Sequence, residues 1–436
     1  MTELEARTLA LESELRSASP DNRALMATLL SKLGSNLEAL GQRERALEAL
    51  QRSLQLFEEL DDSRGKMETL NRIGSVLIAM HRLDEAKPIV EAALAAARLR
   101  AERSIEATSL NNLAILEEMS GNLDGAREQY ERSIELLRTL DDAEKLATTL
   151  NNVGVTYGKM IGRDDEARAV WREALALYKQ VGDDAGVAST LNNAGLFLAK
   201  RGYPSDALDY CEKAVAIQQR VGDKGELSLM LGNLAFVYSK LGRDAEACTL
   251  LERKLVLQKE INDDHGAAVT LHLLANTLRD MGLADDAYVY YSRAVNAFAV
   301  LGNSADMAHA EMDQAFSVTD FTKALGHAER ALEVRVALGD AKEIGAALDG
   351  LGLLYSDAGH YEKAIALMEQ SLEFTERSGD HEGMATLLDN LGCVCEQAKL
   401  YAKAINYYER ALMLVRRAVD REAILSALDA LRAAQA

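Results

Sequence analysis

The sequence predicts an all-α array of repeated helix pairs, and three observations point to it. Only 3 prolines and 5% aromatics accompany 48% hydrophobic residues, with alanine and leucine prominent, which suits helices packed through small side chains. An asparagine pair recurs among apolar residues in SLNNLAILEEM (109–119), TLNNVGVTYGKM (149–160) and TLNNAGLFLAK (190–200). An alanine recurs at Ala46, Ala86, Ala126, Ala167, Ala207, Ala247, Ala287, Ala324, Ala364 and Ala404, every 40 residues except for one interval of 41 and one of 37. Twelve residues before it, or thirteen in the fourth unit, stands another small residue: Gly34, Gly74, Ala114, Gly154, Gly195, Ala235, Ala275, Gly352 and Gly392. Small residues held in phase over ten units mark one structural element reused.

In chain order, residues 1–20 are expected to form a capping helix, residues 21–420 the ten units, and residues 421–436 a second cap covering an otherwise exposed apolar end. Each unit reads as two helices. The first ends near a glycine such as Gly41, Gly121, Gly202, Gly242, Gly282 or Gly359, where a left-handed C-cap favours that residue. The second helix carries the alanine. VGDDAG (181–186), VGDKGE (221–226), LGDAKE (338–343) and SGDHEG (378–383) join units as turns, with glycine ending one helix and aspartate able to cap the next. Pro204 falls just inside a second helix, where its missing N–H costs nothing, and Pro88 lies about a turn further in. The eighth unit (about 303–337) is shortened by three residues and degenerate. HAEMDQAFSVTDF (309–321) puts Glu311 and Gln314 where leucines are due, which reads either as a kink or as a tolerated shortened turn.

Leucine, then leucine and a small residue three positions on, then tyrosine or leucine, glycine and a later alanine form a pattern that resembles the tetratricopeptide repeat (TPR), as TLNNVGVTYGKM with DDEARAVWREALALY shows. The common unit of that family has about 34 residues. These longer units are similar to those of kinesin light chain, the LGN polarity adaptors and bacterial MalT-like regulators, and EAKPIVEAALAA resembles a second helix of kinesin light chain. The resemblance covers residues 21 to about 420. It implies a right-handed α-solenoid superhelix whose first helices line a concave groove. HEAT and armadillo repeats share the length but are not expected to keep this alanine and glycine ladder.

If the small residue of the first helix is position 8 and residues advance by about 100°, positions 4, 7, 8 and 11 form the packed face and positions 2, 5, 6, 9 and 13 the opposite one. Position 5 holds Asn71, Asn111, Asn151 and Asn192; position 6 holds Asn112, Asn152, Asn193, Asn233 and Asn390. An amide offers both donor and acceptor, so such a ladder can pair with the backbone of an extended peptide, the use that the resemblance to kinesin light chain and LGN implies. It can equally tie neighbouring first helices together. Position 9 adds the apolar Ile115, Val155, Leu196 and Phe236, and position 13 the basic Lys159, Lys200 and Lys240, which also suit a helix C-terminus. The carboxylate clamp of chaperone-binding TPR proteins needs basic residues on this face. Position 2 instead holds Thr28, Glu68, Thr108, Thr148, Ser189, Leu229 and Val269.

Other functional classes lack their parts. The phosphate loop, H-E-x-x-H and G-x-S-x-G do not occur, so no catalytic site is expected. The seven histidines are scattered over the units, and only His272 maps to the groove face. Cys393 and Cys395 lie about 200° apart on a helix, which precludes a bridge. With Cys211 and Cys248 they suggest neither a disulfide framework nor a metal site, and no cofactor is expected. A net charge of −20 opposes nucleic acid and anionic membrane. MTELEARTLALESELR has no signal-peptide core, and a cytoplasmic location is expected. The expected function is a scaffold or adaptor for a peptide or helix of another protein. A regulatory sensor module acting with a separate effector chain is the second reading.

Overall fold

The computed structural model describes residues 3–415 and 418–435. Residues 1, 2, 416, 417 and 436, which the expected caps and array include, lie outside the described residues. The fold is all-α, with 22 helices and no strand among the described residues. They run α1 (Glu3–Ser17), α2 (Arg23–Ala39), α3 (Arg43–Glu59), α4 (Ser63–Ala79), α5 (Leu83–Leu99), α6 (Arg103–Met119), α7 (Leu123–Leu140), α8 (Ala143–Lys159), α9 (Asp164–Val181), α10 (Asp184–Lys200), α11 (Pro204–Val221), α12 (Lys224–Lys240), α13 (Asp244–Glu260), α14 (Asp264–Asp280), α15 (Ala284–Val300), α16 (Ser304–Phe316), α17 (Phe321–Leu338), α18 (Ala341–Asp357), α19 (Tyr361–Ser378), α20 (His381–Gln397), α21 (Tyr401–Leu414) and α22 (Ala418–Gln435). Even-numbered helices from α2 to α20 are the first helices of their pairs. The chain forms two compact units divided between Val237 and Tyr238, within α12.

Turn chemistry sets the helix ends. Asp62, Asp142, Asp183, Asp263, Asp340 and Asp380 each accept a backbone N–H of the next first helix, satisfying donors that the helix itself cannot. Gly202 (φ 87°) and Gly222 (φ 88°) occupy the left-handed region after α10 and α11, where a Cβ would be strained. Pro204 opens α11, and Pro88 lies inside α5.

The periodic small residues are where helices touch. The ten phased alanines of the second helices are all buried, nine of them with no exposed surface. Sixteen residues after position 8, or seventeen in the fourth unit, comes the side chain that fills the space over it, and this varies freely: Leu50, Val90, Tyr130, Trp171, Cys211, Leu251, Tyr291, Met368 and Tyr408, all buried. A Cβ on Gly154 would stand 2.4 Å from Trp171 Nε1, and one on Gly392 2.5 Å from Tyr408. Glycine at position 8 therefore lets a large ring lie against the first-helix backbone.

In the unit ending at Val237, one cluster joins residues of α2 to α6 and another joins α6 to α10. Leu11 and Leu15 of α1 pack on the first of these. In the unit starting at Tyr238, the largest cluster runs from Ala308 to Leu431, so α22 contributes Ile424, Leu428 and Leu431 to a shared core.

The eighth pair loses its residues from one place. Ala315 is buried as position 8, so the forty-residue count holds through α16, and the deletion follows it. α16 has 13 residues where most first helices have 17, and the linker to α17 has four, residues 317–320, instead of three. Packing continues from α16 to both α17 and α18, as a shortened helix allows. The out-of-pattern polar residues are buried with partners. Gln314 Nε2 donates to Ser292 Oγ at 2.6 Å, while Glu311 accepts from Arg330 at 3.0 and 3.1 Å and pairs with His327.

Candidate partner-binding face

Neighbouring first helices touch along α2, α4, α6, α8 and α10. Their positions 5 and 6 therefore meet, and a single rule governs the contact. The residue at position 6 bonds to position 5 of the preceding unit. Asn152 Nδ2 donates to Asn111 Oδ1 at 3.2 Å, Asn193 Nδ2 to Asn151 Oδ1 at 3.2 Å, and Asn233 Nδ2 to Asn192 Oδ1 at 3.1 Å. Asn112 Nδ2 reaches the backbone oxygen of Asn71 at 3.1 Å, and Arg72 donates to Ser31. The asparagines thus form a rail between successive first helices from α4 to α12, and Arg72 with Ser31 extends it to α2.

Asn71, Asn112, Asn151 and Asn192 are buried, so most of the position-5 amides serve the stack. Asn152, Asn193 and Asn233 are half-buried. Each uses one N–H internally, and no protein group engages its Oδ1 among the described residues. Asn71 differs: both of its side-chain polar atoms are buried and unpartnered. Burial without a partner makes this the weakest rung.

Ile115, Val155, Leu196 and Phe236 are half-buried beside the rail, and Ile115 and Val155 pack against the core cluster of α6 to α10. Of the lysines, Lys159 is ion-paired to Glu118 of the preceding unit at 2.6 Å. Lys200 is exposed and has no ion pair among the described residues. Lys240 is exposed and belongs to the other compact unit.

Sequence reading grouped the asparagines but missed the link between columns. The signal is a polar residue paired with another 41 positions later, as at 31 and 72, 71 and 112, 111 and 152, or 192 and 233. In the unit beginning at Tyr238 the same spacing brings a carboxylate into the contact. His272 Nε2 lies 2.7 Å from Asp313 Oδ2, and Asn390 Nδ2 donates to Asp349 Oδ2 at 3.0 Å. Arg279 also approaches Asp313, at 3.6 Å. Burial pushes the Asp349 carboxyl up to about 6, and its Oδ1 is buried and unpartnered. The groove histidine is thus tied into the inter-unit contacts.

A family profile described as tetratricopeptide repeat matches residues 25–99, 65–139, 105–180, 145–220, 186–253, 226–299, 313–377 and 368–417. The chain belongs to the tetratricopeptide repeat family. Between the first and last matches the TPR profile leaves 300–312 unmatched, which covers the first part of shortened α16. No curated protein matches the chain by sequence. Among solved structures, this TPR chain is similar to a signal-transduction ATPase with numerous domains and a TPR sensor from Pyrococcus horikoshii, at TM-score 0.59 and 14% identity over 77% of this chain and 52% of that one. It is also similar to the apo form of the quorum sensor NprR from B. thuringiensis, at TM-score 0.54 and 13% identity over 78% and 98% of the two chains. A Rap protein complexed with Competence and Sporulation Factor gives TM-score 0.51 and 15% identity over 83% and 99%. At these identities the likeness is one of fold. No helix among the described residues is long and apolar enough to cross a membrane.

Proposed function

We propose that this TPR chain is a protein-interaction scaffold that receives an extended segment of a partner along the first-helix face of α6 to α12. The carrying observation is the rail itself. It fixes Asn152, Asn193 and Asn233 by one bond each and leaves an acceptor on every one, in a row a repeat apart. Acceptors held in place by the scaffold lose little freedom on binding, so the ordering cost falls on the ligand. The half-buried Leu196 and Phe236 would seat apolar side chains, and exposed Lys200 an acidic one. A quorum sensor and a Rap protein complexed with Competence and Sporulation Factor share the fold, which makes a peptide the ligand class to test first. The sensor reading is a special case of this one, in which the peptide is a signal and a separate chain is the effector.

Affinity capture with the wild type, Lys200→Glu and the Asn152→Ala/Asn193→Ala double variant, each with a thermal melt, tests the proposal. Lys200→Glu should release the partner with an unchanged melt. A partner held equally by all three proteins would place binding elsewhere.

A further inference from the structure

The acceptors left on the amide rail carry a distance as well as a chemistry. Unlike Asn71 Oδ1, none of the Asn152, Asn193 and Asn233 side-chain oxygens is a buried, unpartnered atom, so each is open to an N–H from a ligand. All three stand at position 6, on α8, α10 and α12, and each is held to the preceding first helix by a bond of nearly the same length, 3.2, 3.2 and 3.1 Å. The acceptors therefore recur at the spacing of adjacent first helices, and helices in contact lie roughly 8–10 Å apart.

Backbone conformations differ in where they present N–H groups. A β-strand turns one toward a given side every two residues, about 6.6–6.8 Å, or every four, about 13 Å, and neither matches. An α-helix spends its N–H groups on its own carbonyls. Polyproline II has three residues per turn at about 3.1 Å each, so N–H groups facing one side recur every ~9.3 Å, and none is used within the ligand. That repeat falls inside the helix spacing. The columns beside the rail add two constraints. Val155 and Leu196, half-buried at position 9, offer an apolar flank to a second face of such a segment. Lys200, about two turns beyond Asn193 on α10, is exposed and has no ion pair among the described residues, whereas Lys159 is neutralised by Glu118.

We propose that the partner segment lies on the rail as a polyproline II helix, three residues to a repeat, with a residue other than proline at every third place. Proline has no N–H to give at that place. At the places between, it is favoured, because it fixes φ near the polyproline II value and lowers the ordering cost that falls on the ligand. An acidic residue opposite Lys200 sets the segment lengthwise, since that charge is unmatched on this face of α8 and α10. The inference rests on the peptide reading of the rail and adds to it the ligand's conformation and composition.

Calorimetric titration of the full chain with three capped nonapeptides tests it; nine residues of polyproline II span about 28 Å and pass all three acceptors. The first is Leu-Pro-Gln-Leu-Pro-Glu-Leu-Pro-Gln, whose prolines share one register. The second has the same composition with proline second, fourth and sixth, so that each of the three registers loses one donor. The third carries valine for proline and favours a strand. The first should bind saturably, and about fivefold or more tighter than the second, the worth of one hydrogen bond. That ratio should shrink in Asn193→Ala, and the first peptide should bind more weakly to Lys200→Glu. The peptides are compared on the wild-type protein, and Lys200 is exposed, so the test holds if Asn193→Ala unfolds. Equal binding of the first two peptides, or tighter binding of the third, with affinity still lowered in Lys200→Glu, overturns the polyproline II register and leaves the peptide reading standing. No saturable binding by any of them overturns the proposal. Unchanged affinity in both Asn193→Ala and Lys200→Glu puts the peptide elsewhere and removes the peptide reading with it.

Discussion

Asn193 donates from Nδ2 to Asn151 Oδ1 at 3.2 Å, joining α10 to α8 over one repeat. The bond is part-buried, and Asn151 is 7% exposed. Removing either partner leaves the other amide short of a partner in a half-dry interface. Asn151→Ala and Asn193→Ala should each cost about 1–2 kcal/mol, and the double variant less than their sum. A double-mutant cycle by denaturant unfolding measures this. Strict additivity would mean that the rail does not hold the stack.

Gly154 lies under Trp171, whose Nε1 also donates to Asn151 O at 3.2 Å. In an open helix Gly→Ala gains up to about 1 kcal/mol. Here the new methyl meets a rigid buried ring at 2.4 Å, and overpacking costs about 1–3 kcal/mol. Gly154→Ala should therefore lower Tm, and Gly154→Ala/Trp171→Leu should recover part of the loss. A Tm that rises in the single variant would show that the ring has room to move.

The repeat was legible because packing repeats. Position 8 and the buried alanine are small wherever two helices must approach, so their spacing reports the fold directly. The partner of position 8 was not legible as a pattern, since Cys211, Trp171 and Val90 fill the same place at different depths. The candidate face was half legible. Helical geometry put the asparagines on one side, but their division between stack and surface depends on a contact 41 residues away.

Glu311 stands where the period asks for leucine, 8% exposed, with His327 and Arg330 as partners. Its hydrogen bond raises the Arg330 pKa above the ordinary arginine value. Glu311→Gln keeps the shape but removes the charge, and should destabilise by about 1–3 kcal/mol. Arg330→Gln should cost less, since that side chain is 54% exposed and screened by water. Hydrogen exchange should quicken first in α16 and α17. Equal losses in the two variants would argue against a buried role for Glu311.

Asp349 makes stability depend on pH in an unusual direction. Burial raises its carboxyl from 3.8 to about 6, and Asn390 opposes this only partly. Between those values the folded chain binds the proton more than the unfolded chain does, so this group's stabilising contribution is complete below about pH 4 and is lost as pH rises through about 6. The total is about 3 kcal/mol, two pKa units at roughly 1.4 kcal/mol each. Asp349→Asn keeps an oxygen for Asn390 Nδ2 and carries no charge at any pH. It should match the wild type near pH 4, exceed it by about 2–3 kcal/mol at pH 7, and flatten the slope between. Unfolding series at pH 4, 5, 6 and 7 read this out, and parallel curves for the two proteins would exclude Asp349 as the titrating group.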